Sequence, residues 1–169
     1  MKQSQGYDVY ASSPSKVKMK FRILIGLILM PILCFANPAP FKLELGLMTV
    51  QEFKENRFAK FEGINQWTEG PMYTLMPVDI KCEVVVDVMA IFDKNEILVA
   101  VLVELQKKKF SSLFYKLQKE YTLLCHDIPH TGDKSASFSS GDVQINLRAP
   151  RNNSSMYMEY VTKGFIESF

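Results

Sequence analysis

The residues of this sequence best suited to chemistry lie in one segment, Cys125-His126-Asp127-Ile128-Pro129-His130, which holds both histidines of the chain. His, Cys and Asp are common ligands of transition metals, so a metal-dependent hydrolase that uses His126, Asp127 and His130 is one hypothesis for function. His126 and His130 would share a face only in a helix, and Pro129 disfavours helical backbone between them. We therefore expect a solvated loop here and keep the hydrolase as an alternative.

The sequence lacks the other common catalytic patterns. It has no Gly-x-Ser-x-Gly nucleophile motif and no glycine-rich phosphate loop. Four carboxylates fall in a predicted β-hairpin: Glu83, Asp87, Glu96 and Glu104. Solvated charges on a strand face are commoner than a catalytic carboxylate pair. The sequence therefore favours a non-enzymatic protein and predicts no cofactor.

Two cysteines, Cys82 and Cys125, follow residue 36. In an oxidising compartment two thiols are more often joined than free, so we predict a Cys82–Cys125 disulfide. The alternative is two buried thiols packed as small hydrophobic side chains. No Cys-x-x-Cys spacing is present, so a catalytic redox centre is not predicted.

Residues 1–36 have the pattern of an export signal. Four basic residues between 16 and 22 precede an apolar run over 23–35, and the segment ends in Cys34-Phe35-Ala36. The run is shorter than the about 20 residues of a membrane-spanning helix. We predict cleavage after Ala36 and a single domain over 37–169, periplasmic or secreted, with no stable membrane span. Because residues 1–18 are polar, Met1 and Met19 are alternative starts.

Charge argues against a nucleic-acid partner. The chain carries 20 basic and 18 acidic residues, but five of the basic residues and one of the acidic residues precede Asn37. The mature domain would therefore carry a formal charge of −2. A protein that neutralises phosphates needs a basic excess, so we predict no nucleic-acid binding.

The hydrophobic pattern predicts two helices and two pairs of strands. Thr49 and Glu52 form a capping box before a helix over 50–60, whose core-facing side includes Phe58 and Phe61. Strict alternation over 82–92 and 97–105 predicts a hairpin with a polar turn at 93–96. A second helix spans 110–121, and strands follow at 143–147 and 156–162. A short edge strand is predicted at 41–45.

The segment 63–77 has no clean period and is predicted to be a loop or an irregular strand. Trp67, Met72, Tyr73 and Met76 lie in this segment. Aromatic and Met side chains are enriched at protein interfaces, so these four form a candidate binding patch. The alternative is that they cover the edge of the core.

The nine residues from Leu45 to Phe53 resemble the Gly-x-x-Thr-x-x-Glu opening of small envelope proteins of Gram-negative bacteria. These include outer-membrane assembly lipoproteins of the BamE type and the fold of β-lactamase inhibitor proteins. The stretch from Phe110 through Tyr121 to Tyr160 is similar to uncharacterised exported proteins of proteobacteria. The resemblance implies a small α+β domain in the cell envelope.

The predicted order is helix, strand pair, helix, strand pair. This order predicts an α+β fold, a two-layer sandwich in which two helices cover one face of an antiparallel sheet. The repeated helix–hairpin order raises the hypothesis of a duplicated unit. For function, we predict a non-enzymatic domain that binds a protein partner in the envelope through its sheet face or the 63–77 segment. An inhibitor of an envelope enzyme is a further alternative.

Overall fold

Eight antiparallel strands form one sheet, with the spatial order β1-β2-β3-β4-β8-β7-β6-β5. The structure, a computed structural model, describes residues 37–80 and 82–167. The predicted signal peptide therefore lies outside the described residues. The strands are β1 (Ala59–Ile64), β2 (Glu69–Leu75), β3 (Val85–Asp93), β4 (Leu98–Gln106), β5 (Thr122–Asp127), β6 (Lys134–Ser140), β7 (Val143–Ala149) and β8 (Ser155–Thr162).

The chain builds this sheet in two halves of the same element order. Helix α1 (Val50–Asn56) precedes β1 to β4, and helix α2 (Phe110–Glu120) precedes β5 to β8. Each half is a meander of four neighbouring strands, and the halves join where β4 pairs with β8. A last short helix, α3 (Lys163–Ile166), follows β8. No helix in the described part of the chain is long and apolar enough to cross a membrane.

The predicted two-layer sandwich is wrong. Four strands follow each of α1 and α2 instead of one hairpin, because residues expected in helix or loop form β1, β2, β5 and β6. The helices have only seven and eleven residues, too few to form a second layer over eight strands. The loop before α1 also covers the sheet, since Leu43 and Leu45 are fully buried.

The start of α1 follows local chemistry. The Thr49 hydroxyl accepts a hydrogen bond from the Glu52 backbone N–H at 3.2 Å, which confirms the Thr49 half of the predicted capping box. The helix stops at Asn56 rather than residue 60 because the chain turns extended at Arg57 and enters β1. The predicted strand at 41–45 is also wrong, because Pro40–Lys42 forms a 3-10 turn in which Phe41 and Lys42 have positive φ.

One face of the sheet, called the buried face, forms the hydrophobic core. Side chains in a cross-strand row through Ala90, Val101, Tyr160, Ile145 and Phe138 lie on it. All five are buried. Because strand residues alternate between faces, Phe92 also points to this side.

Aromatic contacts attach the helices to this core. In the first half, the ring of Phe53 lies 5.5 Å from Tyr73 and 5.4 Å from Phe92. In the second half, Phe114 of α2 lies 5.9 Å from Phe138. Such ring pairs contribute about 1 kcal/mol each beyond the area that they bury.

The β3–β4 hairpin and its turn confirm the sequence prediction, except that β3 begins at Val85 rather than at residue 82. The Asp93 carboxylate accepts hydrogen bonds from the backbone N–H groups of Asn95 and Ile97, both at 2.9 Å. β2 approaches the same region at Gly70, where a Cβ would lie 2.3 Å from the carbonyl oxygens of Phe92 and Asp93. Only glycine fits this approach.

Gly70→Ala is expected to lower the free energy of unfolding by about 3 kcal/mol, because the added methyl group must push β2 away from the β3 backbone. Gly164→Ala is the matched control, since a Cβ there has nothing within 4 Å. Chemical denaturation of both variants measures the difference. Equal stability of the two variants would contradict the close approach at Gly70.

Candidate functional site

Of the predicted metal-binding residues, His126 and Asp127 lie on the edge strand β5, whereas His130 lies in the loop between β5 and β6, as expected. His126 and Asp127 are consecutive residues of β5, so their side chains point to opposite faces of the sheet. The His126 ring contacts Phe114 on the buried face at 5.8 Å. His130 follows the end of the strand, and all three side chains are exposed.

This arrangement gives the metal hypothesis no geometric support. Within residues 37–80 and 82–167, no group of three or more His, Cys, Asp or Glu side chains is placed to hold a metal ion. Asp133, close behind His130, accepts a hydrogen bond from the Arg151 backbone N–H at 2.6 Å and so holds a turn. The metal-dependent hydrolase stays a prediction from composition.

Cys82 and Cys125 are both free and exposed in the structure. Cys82 precedes β3, and Cys125 lies on β5, five strand spacings away in the sheet order. Five spacings correspond to about 24 Å along a flat sheet. A disulfide requires Cα atoms within about 7 Å. The predicted disulfide therefore stays a prediction that this strand order does not support.

Both thiols of the folded protein are expected to react with a maleimide without denaturant, because both side chains are exposed. Peptide mass analysis should find the label at Cys82 and at Cys125, and a Cys82→Ser variant should keep the label at Cys125. If neither residue is labelled until a reductant is added, the two are joined and the free-thiol arrangement is wrong.

The four residues of the predicted binding patch do not form one surface. Trp67 and Met76 are exposed, at 65% and 45% of their full area, whereas Tyr73 is 6% exposed. Tyr73 belongs to the aromatic core, and the Lys54 ammonium lies 5.3 Å from its ring centre. Hydrogen bonding with the Tyr73 side chain is the main cause that raises the pKa of Lys54 above its usual value.

A different apolar surface surrounds strand β1. Six large hydrophobic side chains on or near the β1–β2 hairpin are between 45% and 71% exposed: Phe58, Phe61, Ile64, Trp67, Met76 and Val78. We call these six residues the edge patch. The edge patch includes Trp67 and Met76, the two exposed members of the predicted patch. The six lie along the hairpin, from Phe58, Met76 and Val78 at the start of β1 to Trp67 in the β1–β2 turn. Exposed apolar side chains gathered on one hairpin make it a candidate interaction surface.

The backbone of β1 adds a second feature to this surface. β1 stands at one end of the sheet and pairs only with β2, so no described strand covers its outer edge. Charged side chains, proline and β-bulges normally protect such an edge because unpaired strands template further pairing. β1 has no proline, but it carries the Lys60–Glu62 ion pair at 3.1 Å and a bulge between Phe61 and Gly63. The β1 edge is therefore partly protected, and its apolar side chains lie beside these charges.

A cavity of about 350 Å³ lies beside β1. Phe61, Ile64 and Tyr73 supply apolar walls, and Val50 and Lys54 line it from α1. If an extended partner segment paired with β1, a side chain pointing toward the buried face could enter this cavity. The edge patch, the open backbone and this cavity are adjacent.

A larger cavity, of about 500 Å³, is lined in part by Trp67, Asp93 and Thr162. It offers little catalytic chemistry. The Asp93 carboxylate already accepts the N–H groups of the β3–β4 turn. Glu69 and Lys94 bring opposite charges to the wall. The cavity therefore gives no arrangement of acid, base and nucleophile.

Sequence reasoning missed the edge patch because it assigned Phe58 and Phe61 to the buried side of a helix. The sequence pattern that would indicate strand β1 is weak, because a bulge between Phe61 and Gly63 breaks the alternation of side chains along the strand. Residues 59–62 do alternate between apolar and polar, but this alternation ends at the bulge after four residues and overlaps the end of the predicted helix.

No protein-family model, curated protein or solved structure gives a significant match to this chain. The resemblance of residues 45–53 to small envelope proteins therefore stays a prediction.

Proposed function

We propose that this protein is a non-enzymatic binding domain that works in the periplasm or outside the cell and binds a protein partner along the β1 edge. The observation that carries the proposal is the edge patch, in which six exposed apolar side chains surround an uncovered strand. Burying such surface against a partner stabilises a complex by about 25 cal/mol per Å² before the costs of association.

The binding mode that fits this surface is strand addition. A partner segment in extended conformation would form main-chain hydrogen bonds with β1. These bonds give affinity that does not depend on the amino-acid sequence of the partner. Its alternate side chains would reach Phe61 and Ile64 and the cavity beside them, which gives specificity. An inhibitor of an envelope enzyme is the same mode of binding with an enzyme as the partner.

Site-specific photo-crosslinking in cells of the source organism tests the proposal. A photoreactive residue at Ile64 is expected to give a reproducible adduct with one partner protein. The same residue at Tyr115 of α2 is the matched control, because both side chains are 61% exposed. Exposure alone therefore predicts equal adducts, whereas the proposal predicts an adduct at Ile64 only.

The adduct must also depend on the edge patch. Phe61→Lys places a charge in the patch, and it also removes the ring contact between Phe61 and Tyr73 at 5.5 Å, so its unfolding midpoint must be checked beside that of the parent. The variant is expected to reduce the adduct at Ile64 by about tenfold, the effect of losing ~1.4 kcal/mol of binding. An adduct that forms equally at Tyr115, or that survives Phe61→Lys unchanged, would contradict binding at this edge.

Intact-mass measurement of the protein recovered from cell fractions tests its compartment. The export signal predicts a chain that begins at Asn37 and is found in the periplasm or the medium. A full-length chain recovered from the cytosol would contradict an extracytoplasmic role while leaving the edge patch as a binding surface.

A further inference from the structure

We propose that the second face of the sheet docks a protein segment that presents basic side chains next to apolar ones. This face, called the outer face, is opposite the buried face. One of its cross-strand rows runs through Met89, Leu102, Glu159 and Asn146. The aromatic rings of α1 and α2 contact residues of the buried face, not of the outer face.

The first-half part of the outer face is apolar. Cross-strand pairing places five apolar residues of β2, β3 and β4 together with Val161 of the neighbouring β8; the five are Met72, Met89, Ile91, Ala100 and Leu102. Ile91 and Ala100 are buried, and the other four are half-buried around them. A sheet face that meets only water normally carries polar residues, as the second half of this face does with Gln144 and Asn146.

Two carboxylates border this apolar zone. Asp87 and Glu104 are directly paired across β3 and β4, and both are half-buried. Residues paired in this way have Cβ atoms about 5 Å apart, and like charges there destabilise a sheet. Among the described residues, no hydrogen bond or ion pair compensates either carboxylate.

Glu159, on the same face, shows that neighbouring side chains can supply a carboxylate with an ion pair and a hydrogen bond. Glu159 receives Arg148 at 3.4 Å and the Asn146 amide at 3.4 Å. Asp87 and Glu104 lack such partners, although their cross-strand row continues through Tyr157 of β8 to Arg148 of β7. The uncompensated negative charge therefore lies at the border of the apolar zone and not in the polar half.

Charge complementarity identifies the occupant. A Lys or Arg side chain above Asp87 and Glu104 would remove their mutual repulsion, and neighbouring apolar side chains would cover Met89 and Leu102. A metal ion fits less well, because the described residues offer no third carboxylate, His or Cys at this position. This inference does not rest on binding at the β1 edge.

Selection of random peptides displayed on phage against the purified full chain tests the inference. Enriched peptides are expected to combine Lys or Arg with apolar residues. Their affinity should fall at least about tenfold for the double variant Asp87→Asn/Glu104→Gln, because the charge pairing is lost. The double variant Glu44→Gln/Asp142→Asn removes the same net charge at exposed positions elsewhere and should bind like the parent.

Stability measurements separate lost binding from lost folding. Removing the paired like charges should leave the unfolding midpoint of Asp87→Asn/Glu104→Gln equal to or above that of the parent. Millimolar Ca²⁺ or Mg²⁺ should not raise the parent's midpoint. A rise that this double variant abolishes would assign the pair to a cation and overturn the inference.

Peptide specificity gives the remaining outcomes. Enriched peptides that lack basic residues, or that bind Asp87→Asn/Glu104→Gln as tightly as the parent, would overturn docking on the outer face, as would a selection that enriches no peptide. Peptides lost only with Phe61→Lys would support the β1 edge and overturn this inference.

Discussion

The pairing of β4 with β8 is the contact on which the rest of the structure depends. It joins two four-stranded meanders through seven residue pairs, from Ala100 with Val161 to Gln106 with Ser155. Its buried-face pairs, such as Val103 with Met158, link the two parts of the core. Because side chains alternate with a period of two, a slip of one residue would turn these pairs to the outer face. Lys107, just after β4, strengthens the junction by donating to the carbonyls of Pro150, Arg151 and Asn153 in the β7–β8 turn.

This central pairing also decides where surfaces remain open. When β4 and β8 meet in the middle, β1 and β5 become the two ends of the sheet. The two ends differ in degree: six exposed apolar side chains lie around β1, whereas β5 exposes His126 and Asp127 beside Leu124, with Ile128 just after the strand. The asymmetry between halves continues on the outer face, which is apolar in the first half and polar in the second. The proposed binding surfaces therefore both belong to the first half of the sheet.

Glycine and turn chemistry hold the β1–β2 hairpin in position beside that first half. Gly70 permits the close approach of β2 to the carbonyls of Phe92 and Asp93. The Asn65 side chain accepts hydrogen bonds from the backbone N–H groups of Trp67 and Thr68 and so orders the hairpin turn. The apolar side chains of the edge patch are thus presented by ordered backbone, which lowers the entropy that binding must overcome.

The sequence by itself determined the elements whose signals are local: the Thr49 cap, the β3–β4 hairpin with its Asp93 turn, and α2, whose apolar stripe has helical spacing. It also indicated β7 and β8, because one face of each is buried. Only the tertiary structure decided that residues 59–64 and 122–127 are strands, since the alternation in the first segment stops after four residues and the second segment has none. Register between β3 and β4 placed Asp87 beside Glu104, a relation between strands that sequence spacing does not encode. The extended backbone of β5, which the sequence pattern did not indicate, put His126 and Asp127 on opposite faces of the sheet.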